Sequence, residues 1–444
     1  MSEKGMFLPY TGIVAMAFPG YYLGEEKALA KYSEMLSYIQ ELDLKVIKVD
    51  QVVTDTFGAK DAGRFFAEKK VDFIFVVLTT FVPDHFIAEL VDTGDIPVFL
   101  WAVEREMDCI SLVGAMLINP TLYELEKHYQ LHAGDIGDSD VLGSLMVFAR
   151  AAMMKRVLRN MRAGYMGENP DIMFSMAADE YGLKKKLGVT VVPIRDFEYT
   201  KRVEQISDKD ARNDWNNVKG EVGEVRVSEK DGIEASKTFL SMVDLTKELR
   251  LNALSINCWS HLKSKICLPI ARFNDHGIGA GCEGDIHSTI VMRLFYVLNG
   301  RSAINGDFMR LYPDENRILF SHCGAGSFSM AKTRDDITLH ESIETHDGIG
   351  VFFPVSQTGI ITAVNLIGSR SEYRLSVLVG EAVETDMVYE GNPMLIGFER
   401  PVKEILQSAV RNGAGHHWSI AYGDYSAELE LLGKFLGIDC RILS

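Results

Sequence analysis

The sequence predicts an α/β protein: two doubly wound, Rossmann-like parallel-sheet domains followed by a C-terminal, mostly antiparallel, barrel-like β domain. Three observations predict it. Solid apolar runs alternate with helical periodicity through the first 155 residues. The alternation starts again near Ala163. In the last 140 or so residues helical segments thin out and short turns separate strand-like stretches. The domains expected are 1–155, 156–302 and 303–444. A chain of 444 residues is too long for a single hydrophobic core.

In the first domain, residues 12–18, 45–49, 73–78 and 97–101 read as strands. Their continuous apolar character is that of parallel strands buried on both faces. Residues 25–41 and 59–69 carry helical periodicity, and strands alternating with helices imply a covered parallel sheet. A long helix is expected over 139–161. Asp138 and Ser139 offer N-caps, and Leu142, Leu145, Phe148, Ala149 and Ala152 recur at helical spacing. Strands at 163–167, 190–194 and 254–258 and a helix at 285–298 make the second domain. Residues 221–232 are charge-rich and read as a surface connection. Strands at 317–321, 350–355, 358–367 and 373–379 suit an antiparallel sheet or small barrel. Helices follow at 401–411, with proline in the first turn, and at 425–436.

The formal net charge is −16, with 47% hydrophobic and 24% charged residues. Such an acidic surface repels phosphate backbones and anionic lipids, so neither nucleic acid nor membrane is expected as a partner. The longest apolar run, 73–81, is far short of the roughly 20 residues of a membrane helix. Six cysteines without a CxxC pair read as thiols in a reducing compartment, and the expected location is the cytoplasm. Cys282 and Cys323 flank candidate site residues, although small apolar packing accounts for most such thiols.

The chemistry-bearing residues are far apart in sequence and each lies near glycine. Glu283 sits in Cys282-Glu283-Gly284-Asp285, ahead of a helix that Asp285 can cap. Asp307 follows Asn305-Gly306, His322 ends a strand, and His416-His417-Trp418 follows Gly413-Ala414-Gly415. Two carboxylates with imidazoles suit a hard-to-borderline divalent cation such as Mn²⁺. On extended backbone the two neighbouring histidines would face opposite ways. Each residue also has a plain structural reading: Glu283 as a capping carboxylate, Asp307 in an Asx turn, His322 satisfied by backbone. His85, His128 and His132 read as surface or capping residues. Gly279-x-Gly281-x-x-Gly284 spells a dinucleotide fingerprint. It lies deep in the chain, lacks a buried strand over 274–277, and places a glutamate where pyrophosphate would sit.

Taken together these residues resemble the L-fucose isomerase and L-arabinose isomerase superfamily, and its fucose isomerase-like branch in particular. The resemblance covers the whole chain in architecture and is sharp over the last 165 residues. Glu283-Gly284-Asp285 resembles the family's glycine-rich acidic motif, and Asp307, 24 residues later, its second acidic ligand. Ala414-Gly415-His416-His417 is similar to the Gly-Ala-His-His of the arabinose branch. The resemblance implies Glu283, Asp307 and His417 as ligands of Mn²⁺ or a similar cation, with Glu283 and Asp307 as the catalytic acid–base pair. It implies His322, His416 and Trp418 as substrate contacts, with His322 a fourth ligand in the alternative. It further implies aldose–ketose isomerisation of an open-chain sugar through an ene-diolate, in a homo-oligomer, commonly a hexamer, completed by a neighbouring subunit. Residues 18–22 are the candidate for that contribution. Two other readings stand beside it: a non-catalytic sugar-binding protein, and an NAD-dependent oxidoreductase using Gly279–Gly284. The sugar itself, whether L-fucose, D-arabinose, another deoxy sugar or a sulfonated one, is not set by these motifs.

Overall fold

Phe73–Leu78 and Val98–Val103 contain no charged residue and are buried along their whole length. They form the middle of a five-stranded parallel sheet, as strands covered on both faces must. In this computed structural model, which describes residues 7–19, 25–104, 110–167, 170, 172–345, 347–370 and 372–444, the chain divides into two units, Met1–Arg156 and Val157–Ser444.

In the first unit β1 (Tyr10–Met16), β2 (Lys45–Lys48), β3 (Phe73–Leu78), β4 (Val98–Val103) and β5 (Tyr129–Gly134) lie in the order β2-β1-β3-β4-β5. All pairs are parallel. Helices Ala28–Ile39, Thr56–Lys69, Asp84–Val91, Ser111–Glu124 and Ser139–Asn160 connect and follow the strands. Gly12 shows how closely one helix approaches: a Cβ there would lie 2.4 Å from the Phe66 ring. The expected surface role of His132 is corrected. It lies on β5, half-buried, stacked on Phe99 at 4.8 Å between ring centroids. Of the loop at 18–22, Gly20, Tyr21 and Tyr22 lie outside the described residues, as does Cys109.

The second unit holds two principal sheets. One is parallel: β6 (Arg162–Met166), β7 (Thr190–Ile194), β9 (Ala253–Ile256) and β10 (Gly279–Gly281), in the order β10-β9-β6-β7. The other contains β11 (Ile304–Tyr312), β12 (Arg317–Ser321), β15 (Gly359–Ser369), β16 (Glu372–Val383), β17 (Met394–Gly397) and β18 (Trp418–Tyr422), with β19 (Asp439–Ile442) added parallel to β16. The order β15-β18-β11-β12-β17-β16, together with direct β15–β16 pairing, closes six antiparallel strands into a ring. Ile318, Phe320, Ile361, Ala363, Met394, Ile396, Trp418 and Ile420 recur at alternate positions and share one buried cluster. The helix Ile286–Asn299 touches both sheets. It is buried nearly all round, including His287, Thr289 and Arg293, as a helix between two layers must be.

The segment 221–232 is more than a connection. β8 (Glu224–Val225) pairs with β13 (Thr338–Glu341), which also pairs with β14 (Ile349–Phe352). A helix, Glu229–Leu249, begins inside the same segment, where the Ser228 side chain accepts from the Asp231 backbone N–H. The density of charge hid this Ser-x-x-Asp start signal.

Candidate metal centre

Strand register brings the site together. Asp307 on β11 is the partner of Ser321 on β12, and Gly306 is the partner of Trp418 on β18. His322 follows Ser321 and His417 precedes Trp418, so Asp307, His322 and His417 stand at one level on three adjacent strands. Register is irregular between Phe308 and Arg310, directly beyond Asp307, and such bulges commonly re-aim side chains beside sites. Glu283 arrives from the parallel sheet, in the turn between β10 and the helix Ile286–Asn299. Its φ is +61° and that of Gly284 is +70°. A glutamate in this left-handed region carries a backbone cost of about 1–3 kcal/mol, retained where the surroundings and a site demand it.

The distances are those of a ligand cluster. Glu283 Oε2 lies 3.3 Å from His416 Nε2 and 3.4 Å from His417 Nε2. Glu283 Oε1 lies 3.9 Å from His322 Nε2, and the Nε2 atoms of His322 and His417 are 3.0 Å apart. Two donor sets have all ligand atoms within 4.8 Å of one another: Glu283, His322 and His417, and Asp307, His416 and His417. Both carboxylates are therefore within reach of the same imidazole. Asp307 Oδ1 is buried and, among the described residues, has no hydrogen-bond partner. A buried carboxylate oxygen without a partner is costly, and a divalent cation among these donors would satisfy it. The mixed carboxylate and imidazole set fits such an ion.

Asp285 was expected only to cap the helix, and it does more. Its Oδ1 accepts from the backbone N–H groups of His287 and Ser288 at 2.9 and 3.1 Å. Its Oδ2 accepts from His417 Nδ1 at 2.8 Å. This leaves His417 Nε2 facing Glu283 and His322, the arrangement in which a carboxylate orients a ligating histidine. Because a cap already explained the aspartate, the sequence held no separate signal for this role. On the other side, Asn365 of β15 clamps the histidine loop: its amide donates to His417 O at 2.7 Å and accepts from Gly415 N–H at 3.0 Å.

Burial alone would raise the pKa of Glu283, but hydrogen bonds from His416 and His417 and the charge of His417 outweigh it and hold the carboxyl well below its usual range. Asp285 is held low in the same way, burial being outweighed chiefly by His417. Burial opposes the charged form of His417, yet Asp285 and Glu283 lift its pKa to about 9.

Two expectations are corrected. His416 and His417 do not face opposite ways: their ring centroids are 4.2 Å apart and both approach Glu283, because the chain bends at His416 before β18 begins. Trp418, expected as a substrate contact, is a buried side chain. It is 1% exposed, in phase with Ile420, and stacked on Phe308 at 5.1 Å, so it packs the barrel core beneath His417. The Gly279–Gly284 segment has no opening for a dinucleotide. Gly279 and Gly281 form β10, where a Cβ at Gly279 would lie 2.4 Å from Thr289 O, and the helix start is already occupied by the Asp285 carboxylate.

No family model matches the chain. The chain is similar to sulfoquinovose isomerases. One from Priestia megaterium (strain ATCC 12872 / QMB1551) is 24% identical over 420 residues, covering 89% of this chain and 91% of the relative. Another, from Alkalicoccus urumqiensis, is 23% identical over 380 residues, covering 81% and 83%. Among solved structures, an ABC-transporter solute-binding protein from Burkholderia multivorans covers 66% of this chain and 95% of its own at 13% identity, with a TM-score of only 0.17.

Proposed function

We propose that the chain is a metal-dependent aldose–ketose isomerase of the L-fucose/L-arabinose isomerase superfamily, acting on an open-chain sulfonated aldose such as sulfoquinovose. The observation that carries the reading is the approach of Glu283 and Asp307 to one imidazole, His417, which Asp285 orients. The similarity to sulfoquinovose isomerases over most of the chain supports the substrate class.

Glu283, Asp307 and His417 would hold the cation, Mn²⁺ or one like it, with His322 and His416 beside them. When bound, the cation supplies the positive charge that offsets an ene-diolate. Glu283, kept ionised by its histidines, is placed to take the proton from C2 of the aldose. That C–H electron pair becomes the C1–C2 double bond as the carbonyl oxygen takes the charge. The proton returns to C1 from Glu283 or Asp307, and the O2 hydroxyl proton passes to O1, leaving the carbonyl at C2. His416, the more exposed of the pair, is the one open to a bound sugar under this reading.

The deciding experiment is a panel of aldoses, including L-fucose, D-arabinose and sulfoquinovose, scored for ketose formation. Chelator treatment should abolish turnover and Mn²⁺ should restore it. Absence of ketose from every sugar, with sugar binding unaffected by chelator, would leave the non-catalytic binder in its place.

A sulfonate needs a cation, and Lys263 offers one. Its Nζ lies 3.8 Å from the centre of the exposed Trp259 ring and 3.6 Å from Glu344. A hydrogen bond to a charged group contributes about 1.5–3 kcal/mol. Lys263→Met is therefore expected to raise KM for the sulfonated sugar about 10–100-fold, with KM for a neutral aldose unchanged in the same assay.

Assembly into a homo-oligomer, a hexamer by the resemblance, is part of the same reading. On the helix Ser111–Glu124, Val113 (55% exposed), Met116 (58%) and Tyr123 (72%) follow helical spacing and form an apolar face open to solvent. Such faces are commonly covered by another subunit. Met116→Glu is expected to lower the mass found by light scattering, while wild-type mass in that variant would place the contact elsewhere.

A further inference from the structure

Four free cysteines lie on four separate elements of the second unit, and two of them, Cys282 and Cys323, meet beside the carboxylate–imidazole centre. Cys258 follows β9, Cys267 opens the helix Cys267–Asp275, Cys282 follows β10 and Cys323 follows β12. Cys258 and Cys282 share one buried cluster. His322 stands between the Cys282 and Cys323 thiols and the centre already described. Its Nδ1 lies 3.1 Å from Cys323 Sγ and 3.9 Å from Cys282 Sγ, while its Nε2 lies 3.0 Å from His417 Nε2. The ligand atoms of Cys282, His322 and Cys323 are all within 4.8 Å of one another.

We propose that Cys282, His322 and Cys323 form a second cation site, selective for a thiophilic divalent ion of the zinc class, which shares the His322 ring with the neighbouring carboxylate–imidazole centre. The donor chemistry separates the two. Two sulfurs and one nitrogen favour zinc-class ions, whereas carboxylates with imidazoles favour manganese-class ions. The spacing fits: around a tetrahedral zinc with bonds of about 2.0–2.3 Å, sulfur and nitrogen ligands stand roughly 3.5–3.8 Å apart. The observed separations straddle that value, so small side-chain rotations complete the set. Cys323 is partly open to solvent, which gives an ion a way in. Three protein ligands leave a fourth position for water or another donor. A cation on Nδ1 fixes the His322 ring and commits Nε2 to the other centre. The site exists whichever reaction that neighbouring centre serves.

The test is a Co²⁺ titration of the reduced, metal-free full-length protein. A thiolate-to-cobalt charge-transfer band in the near ultraviolet, saturating within two equivalents because the neighbouring centre also takes Co²⁺, is expected. It should be lost in Cys282→Ser and in Cys323→Ser and kept in Glu283→Gln, which alters only the carboxylate–imidazole set. A second measurement needs no variant: Cd²⁺ should slow alkylation of Cys323 by iodoacetamide at least tenfold, read by peptide mass spectrometry, and Mg²⁺ should not. Absence of the thiolate band, its persistence in both serine variants, or alkylation of Cys323 unaffected by Cd²⁺ would overturn the site.

Discussion

Replacing Glu283 by glutamine is expected to lower ketose formation by about 10²–10⁴-fold, the range of acid–base help from one positioned group, and to leave the fold unchanged. Glutamine keeps the length of the side chain and can still meet His416 and His417, which approach Glu283 Oε2 at 3.3 and 3.4 Å. It loses the charge and the proton-accepting oxygen. The left-handed backbone at this position is unaltered, since both residues carry the same Cβ. The checks are kcat at saturating sugar and Mn²⁺, and the thermal midpoint by circular dichroism. Near-normal kcat in a folded variant removes Glu283 from the proposed chemistry. A large fall in the midpoint would instead make it a structural residue of the turn.

The second large effect is expected at Asp285. One carboxylate oxygen starts the helix Ile286–Asn299 and the other holds His417. Asp285→Ala removes both and leaves the buried imidazole without its partner, a loss of about 3–5 kcal/mol for a broken buried pair. Metal affinity should fall about 10–100-fold, as when a carboxylate behind a ligating histidine is lost. Asp285→Asn separates the two roles. Asparagine caps nearly as well as aspartate, so most of the stability should return. Its neutral amide no longer favours the tautomer that presents Nε2, so the affinity loss should remain. Denaturant unfolding and calorimetric titration with Mn²⁺ read the two effects independently. An alanine variant as stable as the parent, with unchanged affinity, would sink the orienting role.

The parallel sheets were legible because full burial writes itself into sequence as solid apolar runs, as in β3 and β4. β5 was not, since Tyr-Gln-Leu-His-Ala-Gly is half-buried and its polarity resembles a loop. The helices Asp84–Val91 and Ser111–Glu124 were also missed. Neither has a side-chain cap, and the second carries Pro120 in its interior. At the site, Glu283, Asp307 and the histidine pair were readable as residue types in glycine-rich turns. Their meeting depends on strand register, which local sequence does not encode. The bend that turns both His416 and His417 toward Glu283 was unreadable for the same reason, and so was the meeting of Cys282 and Cys323 at His322. Trp418 was read with its neighbour His417, whereas its phase with Ile420 assigns it to the core.

The ring closure through β15 and β16 has an evolutionary consequence. In an open sheet an outer strand can slide by two residues at modest cost and drag its side chains along. A closed ring has no outer strand, so such a slide must propagate around every hydrogen-bonded ladder and break at least one. Asp307, His322 and His417 are thus locked to one another through the ring's register. Sequence drift can remodel the surrounding turns, and with them the choice of sugar, without ever bringing the three donors out of step.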